Sequence, residues 1–339
     1  MPPIRPIAPL RPTGPRLVPG SATANGRAVA LMIAAMALFA TDDAMIKFAA
    51  TLPDGATPGQ IIAFHGTVGA LVFGAIMTWR GETLTRDLVT DWAVIARTAG
   101  DVLAACAFVT ALTLMPLGNA SAILQVQPLV VTLAAALLLG EAVGWRRRVA
   151  IAIGFVGVLV IIRPGLEGFT AVSLLVLLGV VGLVLRDLAT RTVGVRHSTF
   201  AISTVVCVAI VPAGAVLHLA FGTGELTTIG REALLVLAAA SVIGNVGYWC
   251  ITQAARIGEV SAIAPHRYAR LVFAVALGWL VFDEVPDGPM IVGSLLVIGA
   301  GIYAMTRERS APPSSPASPS AGPMAAPVRS AAQRSDAAR

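Results

Sequence analysis

The chain has 339 residues, 56 % of them hydrophobic and only 12 % charged, about half the charged share of a soluble domain. This composition excludes an ordinary soluble globular protein, and the short alternating segments of a β-barrel are absent. The net charge of +6 comes from arginines spread over short gaps and tails, which is a topology signal and not the single basic face of a nucleic-acid binder.

Residues 1–27 are rich in Pro and Arg, without a compact apolar stretch and cleavage site, and are expected to form a disordered cytoplasmic tail. Aliphatic and alanine-rich runs of about 17 to 25 residues then recur, each long enough to cross roughly 30 Å of hydrocarbon as a helix. Ten spans are predicted, near Ala28–Ala50, Gly59–Thr78, Ala96–Met115, Ala120–Leu139, Val149–Ile162, Ala171–Leu188, Phe200–Phe221, Ala233–Ala254, Val260–Phe282 and Met290–Met305. The fold class is all-α integral membrane. Residues 307–339 repeat the Pro, Ala and Ser bias and are expected to form a second disordered cytoplasmic tail.

Along these spans the polar residues are few. The first contains "FATDDAMIKFAA", and each charge near the centre of a spanning helix costs roughly 2.5 to 3.5 kcal/mol on insertion scales. Asp43 and Lys47 are four apart and share a face, while Asp42 is turned from Asp43 by about 100°. Lys47 is the only lysine in the chain, so a lysine-rich composition does not account for it. Two readings stand: mutual neutralisation of Asp43 and Lys47, with the lysine snorkelling outward, or substrate and proton handling.

His65 lies in the second span, where it either packs between helices or binds substrate and titrates. Gln125 and Gln127 precede Pro128 in the fourth, and His266, Arg267, Tyr268 and Arg270 follow Pro265 in the ninth. Asp101, Arg186 and Asp187 fall near cytoplasmic ends and read first as interfacial or gating pairs. Tyr248, Trp249, Tyr268 and Trp279 are candidates for stacking on a flat ring. Arg267 or Arg270 is expected to reach Asp42 or Asp43, or an anionic substrate group, across a cavity between the first and ninth helices. Cys106, Cys207 and Cys250 lie inside apolar runs as small hydrophobes. No metal or cofactor motif, Walker motif or nucleophile elbow is present, so neither cofactor nor enzymatic activity is expected.

Arginines concentrate in the gaps on the side of the N-terminus, which places both termini in the cytoplasm, and Trp79, Trp92 and Trp145 are expected as interfacial anchors. The two halves are similar: "ALTLMPLGNASAILQVQPLVVTLAAALLLGEAV" aligns with "ITQAARIGEVSAIAPHRYARLVFAVALGWLVFDEV". Each carries Ser-Ala-Ile, an early proline (Pro128, Pro265) and a closing Glu (Glu141, Glu284). Five spans per half is odd, so the copies must be inverted, an arrangement found in secondary transporters with broken helices at the substrate site.

This tandem pattern resembles the EamA family of the drug/metabolite transporter superfamily. "DDAMIKFAA", "PGQIIAF", "LRDLATR" and "APHRYARLVFAVALGWLVFDEVPD" are most similar to the bacterial branch containing riboflavin and S-adenosylmethionine transporters. That branch commonly carries Arg where this chain has His65. The resemblance implies two repeats, residues 28–165 and 166–306, and alternating-access transport of a small polar metabolite across the inner membrane. Candidate substrate or coupling residues are Asp42, Asp43, Lys47, His65, Gln125, Gln127, Tyr248, His266, Arg267, Tyr268 and Arg270. Expected partners are a small-molecule substrate and the lipid bilayer, without nucleic acid. Substrate identity, direction, proton coupling and assembly as a homodimer stay open at this point.

Overall fold

The computed structural model describes residues 22–138, 144–165, 170–193, 197–221 and 228–308. Both expected tails, and Glu141 at the end of the fourth predicted span, lie outside the described residues. The described chain is helical, and the predicted spans overlap helices, the fourth and ninth with interruptions.

In chain order the helices are α1 (Ala22–Thr51), α2 (Pro58–Trp79), α3 (Arg86–Thr90), α4 (Trp92–Leu114), α5 (Leu117–Leu124), α6 (Gln127–Leu138), α7 (Trp145–Ile162), α8 (Val172–Val193), α9 (Thr199–Phe221), α10 (Arg231–Ile257), α11 (Val260–Ile263), α12 (Ala269–Phe282) and α13 (Gly288–Glu308). A 3-10 turn, Ala264–Tyr268, joins α11 to α12. Seven helical segments among the described residues are long and apolar enough to cross a membrane, α5 and α6 counting as one.

Local chemistry sets several starts. Thr57 and Gln60 form a capping box at α2, whose first residue is proline, and Asp91 caps α4 by accepting from the Ala93 N–H at 2.9 Å. The short helix α3 was not expected; Thr85 caps it, and Leu88 tucks under the bundle. Helix α7 begins at Trp145, ahead of the expected Val149, so Arg146, Arg147 and Arg148 form its first turn. Helix α8 continues to Val193, which puts Arg186 and Asp187 on regular helix.

Four long pairings organise the bundle: α1 along α10, α2 along α9, α4 along α8 and α7 along α13. Helix α12 also packs on α1, and α6 on α8. Small residues permit the close approach: a Cβ on Gly214 of α9 would meet the Gly59 carbonyl oxygen of α2 at 2.6 Å, and one on Gly157 of α7 would meet the Gly293 carbonyl oxygen of α13 at 2.8 Å. Large apolar side chains face outward, among them Leu71, Leu137 and Leu280, as a lipid-solvated surface requires. Trp79, Trp92 and Trp145 are exposed at helix ends.

Each end of the bundle is fastened by polar contacts. At one, the Thr57 hydroxyl meets His218 Nδ1 at 2.9 Å, the Gly230 N–H donates to the Asp54 carbonyl at 3.0 Å, and Arg163 pairs with Asp287. At the other, Ser198 donates to Glu82, His197 Nε2 lies 3.2 Å from Asp91, and the Glu259 N–H donates to Asn25 Oδ1 at 3.0 Å.

Candidate functional site: a charged network inside the bundle

Both interrupted helices bring polar groups to the interior. Helix α5 ends at Leu124 and α6 starts at Gln127, so the break falls at Gln125 and Val126, just ahead of Pro128. In the second half the irregular stretch is the 3-10 turn that contains Pro265. Gln125 is buried and donates from Nε2 to the Arg267 carbonyl at 3.2 Å, tying the two breaks together.

Arg270 and Asp43 form the first ion pair. The guanidinium donates from Nε at 3.1 Å and from an Nη at 2.6 Å to one oxygen of Asp43. It also lies 5.7 Å from the Phe39 ring centroid and 5.8 Å from that of Phe108. Aromatic faces and a carboxylate together offset the loss of water around a cation whose partner is buried.

Lys47 does not pair with Asp43, although helical spacing puts them on one face, and it does not snorkel. It is buried, donates to the Met115 carbonyl at 2.6 Å, and pairs with Glu284. The other Glu284 oxygen accepts the Leu117 N–H at 2.7 Å. One lysine and one glutamate thereby join α1, the turn between α4 and α5, and the end of α12. The sequence marks Glu284 only as the closing Glu of the second repeat. A lone lysine in need of a counter-charge, with few acids at its depth, was the signal that could have found it.

A third cluster occupies the opposite half. Asp101 lies 3.6 Å from both Arg97 and Arg186, Arg186 pairs with Asp187 at 2.8 Å, and Gln127 donates to Asp187 at 2.8 Å. The residues read as interfacial pairs thus form one linked group. Arg267 and Arg270, three apart in sequence, part company because the 3-10 turn changes the helical register between them. Arg267 is exposed and has no carboxylate within salt-bridge distance among the described residues; Asp187 acts on it from beyond that distance.

Asp42 on α1 and His65 on α2 are 4.0 Å apart, and the facing atoms, Asp42 Oδ1 and His65 Nε2, lack any hydrogen-bond partner. The His266 ring contacts the Ala262 carbonyl at 3.1 Å, a local bond within its own turn. The aromatic candidates divide. Tyr248 stacks edge-on against Phe73 at 5.4 Å, but Tyr268 is buried with its hydroxyl against Gly301 of α13. Trp249 and Trp279 are 56 % and 57 % exposed on outer faces, so these three do not serve as an interior stacking surface.

Two stretches, residues 26–163 and 170–307, match one family description, the EamA-like transporter family. The chain belongs to the EamA-like transporter family. It is 28 % identical to the pseudopaline exporter of Pseudomonas aeruginosa strain UCBPP-PA14, over 83 % of this chain and 96 % of that one. Identity to the riboflavin transporter of Brucella anthropi is 28 %, over 82 % of this chain and 98 % of that one. The S-adenosylmethionine uptake transporter of Rickettsia bellii shares 27 % identity over 59 % of this chain and 67 % of its own. A crystal structure 23 % identical has the same fold, with a TM-score of 0.54 over 82 % of this chain and 97 % of its own. This EamA-family chain is a multi-pass membrane protein of a transporter family, and the relatives named are transporters, not enzymes.

Proposed function

We propose that this EamA-family protein is a secondary transporter that moves a small polar zwitterion across the inner membrane by alternating access. Its moving parts are two inverted five-span repeats, residues 28–165 and 166–306, with both termini cytoplasmic. The observation that carries the reading is the set of helix pairings. Exchanging the halves turns α1 on α10 into α8 on α4, turns α1 on α12 into α8 on α6, and leaves α2 on α9 and α7 on α13 unchanged. Side chains follow the same exchange. Gln127 stands as far before Glu141 as Arg270 does before Glu284, and each reaches an aspartate on the first helix of the other half: Asp187 and Asp43. The family matches at 26–163 and 170–307 support a division near residue 165.

For the substrate, exposed Arg267 suits a carboxylate and the first-helix aspartates suit a cationic group, which favours an amino-acid derivative such as S-adenosylmethionine. Riboflavin is the second reading, supported by the name of one relative; the outward Trp249 and Trp279 and the occupied Tyr268 speak against it. Relatives named for export and for uptake leave both directions within the proposal. Proton coupling and a homodimer are its two open branches, the second read by crosslinking in native membranes.

The test is uptake of labelled S-adenosylmethionine, with riboflavin in parallel, into vesicles carrying a known amount of protein. Transport by the unaltered chain and its loss in Asp43→Asn are expected. Equal transport by Asp43→Asn would remove the ion pair from the mechanism, and turnover of solute without translocation would point to an enzyme.

A further inference from the structure

The other acids of the charged network described above have basic partners: Asp43 has Arg270, Glu284 has Lys47, and Asp101 and Asp187 share Arg186. Asp42 instead faces a group that can be neutral, the His65 ring, across 4.0 Å with both facing atoms unpartnered. That separation is too long for a hydrogen bond and about 1 Å longer than a charge-assisted one. At Gly244 α10 presents no side chain to Asp42: a Cβ there would meet the carboxylate at 3.0 Å. With a neutral imidazole, an ionised Asp42 would have no direct ion-pair partner here, in a setting where such a charge is costly.

We propose that Asp42 and His65 form a cation subsite that holds one positive charge at a time, either a proton on the pair or an ammonium or sulfonium group of the substrate. The inference rests on the transport reading above and adds its coupling chemistry. With the proton bound, His65 Nε2 carries it as imidazolium and donates to Asp42 Oδ1. When a cationic group approaches Asp42, the proton leaves Nε2 for water, so one proton departs for each positive charge that enters. Substrate and proton then compete, and a proton gradient drives the substrate the opposite way.

The surrounding titratable groups do not supply this charge. On α1, Asp43 and Lys47 are committed to Arg270 of α12 and to Glu284. On α4, Asp101 is held by Arg97 and Arg186, and Cys106 is the other titratable group. On α9, Cys207 lies beside Gly69 of α2, one turn beyond His65, and on α10 Tyr248 rests against Phe73.

The experiment is a pH titration of ring-nitrogen-labelled histidine in the purified full-length protein, followed by nuclear magnetic resonance. The chain has four histidines, and His65→Gln identifies the His65 signal by its loss. Methylammonium chloride, compared with sodium chloride at equal ionic strength, is expected to weaken proton binding at His65 about tenfold, and Asp42→Asn to do so without any probe. Asp42→Glu, which keeps the charge, is expected to retain the effect of methylammonium. A His65 titration that ignores both methylammonium and Asp42→Asn overturns the subsite. The readout needs no transport, so an inactive vesicle assay with an intact proton competition would count against the transport reading and not against this one.

Discussion

Lys47 illustrates what a single charge demands inside an apolar bundle. Its ammonium has a carbonyl, a carboxylate and the Phe282 ring at 5.2 Å, and Glu284 in turn takes a backbone N–H. Removing one member leaves the other charge without a counter-ion. Glu284→Gln is therefore expected to cost on the order of 3 kcal/mol, seen as a lower unfolding temperature in detergent. Lys47→Met combined with Glu284→Gln should recover most of that loss, because neither charge remains. Asp287, in the loop before α13, offers a pH test at the same scale. Partial burial pushes its carboxyl up, but the Arg163 guanidinium and the Met290 N–H outweigh this and hold it below the ordinary range. A depressed carboxyl stabilises the fold above its unfolded-state range and loses that contribution as pH falls through the folded value. The gap in melting temperature between the unaltered protein and Asp287→Ala should thus be open at neutral pH and close under acid. A gap that stays constant would count against it. Because the Asp287 side chain is 49 % exposed, solvent screens the pair and the gap should be small.

At the scale of elements, the long apolar helices were legible because a run of alanine, leucine and valine leaves the backbone in lipid no alternative to internal hydrogen bonds. The breaks were legible only in part. Pro128 and Pro265 marked the right turns, yet the interruption in the first half falls at Gln125 and Val126, and in the second it becomes a 3-10 turn that separates Arg267 from Arg270. A proline signals that a helix is disturbed without stating which neighbour the freed groups will meet. Helix crossings were not legible either, since they depend on which glycines face each other. Gly214→Val is expected to wedge α9 from α2 and cost about 1 to 3 kcal/mol, whereas Gly144→Val, with nothing among the described residues within 4 Å of its Cβ, should be neutral. Melting temperatures and the fraction of monodisperse protein measure both.

For the whole molecule, the exchange symmetry of the helix pairings bears on topology and motion. If the halves are inverted about an axis in the membrane plane, an odd number of crossings separates them and the two termini share a side. A fluorescent protein fused after residue 308 should then glow, and alkaline phosphatase at the same place should be inactive; the reverse outcome would refute the arginine-based orientation. The contacts of Lys47 and Glu284 join α1, the turn between α4 and α5 and the end of α12, and alternating access is expected to part them. A disulfide between cysteines replacing Lys47 and Glu284 is accordingly expected to arrest transport until it is reduced.

The sequence alone determined that this chain is helical, lies in a membrane, repeats itself and resembles a transporter family, because composition, run length and repetition are properties of neighbours along the chain. The tertiary structure decided who neutralises whom. Asp43 and Lys47 share a helical face, yet each finds its counter-charge on α12 or just beyond its end, at Arg270 and Glu284. The Coulomb and desolvation terms that choose between partners depend on distances across the bundle, which helix packing fixes and spacing along one helix does not.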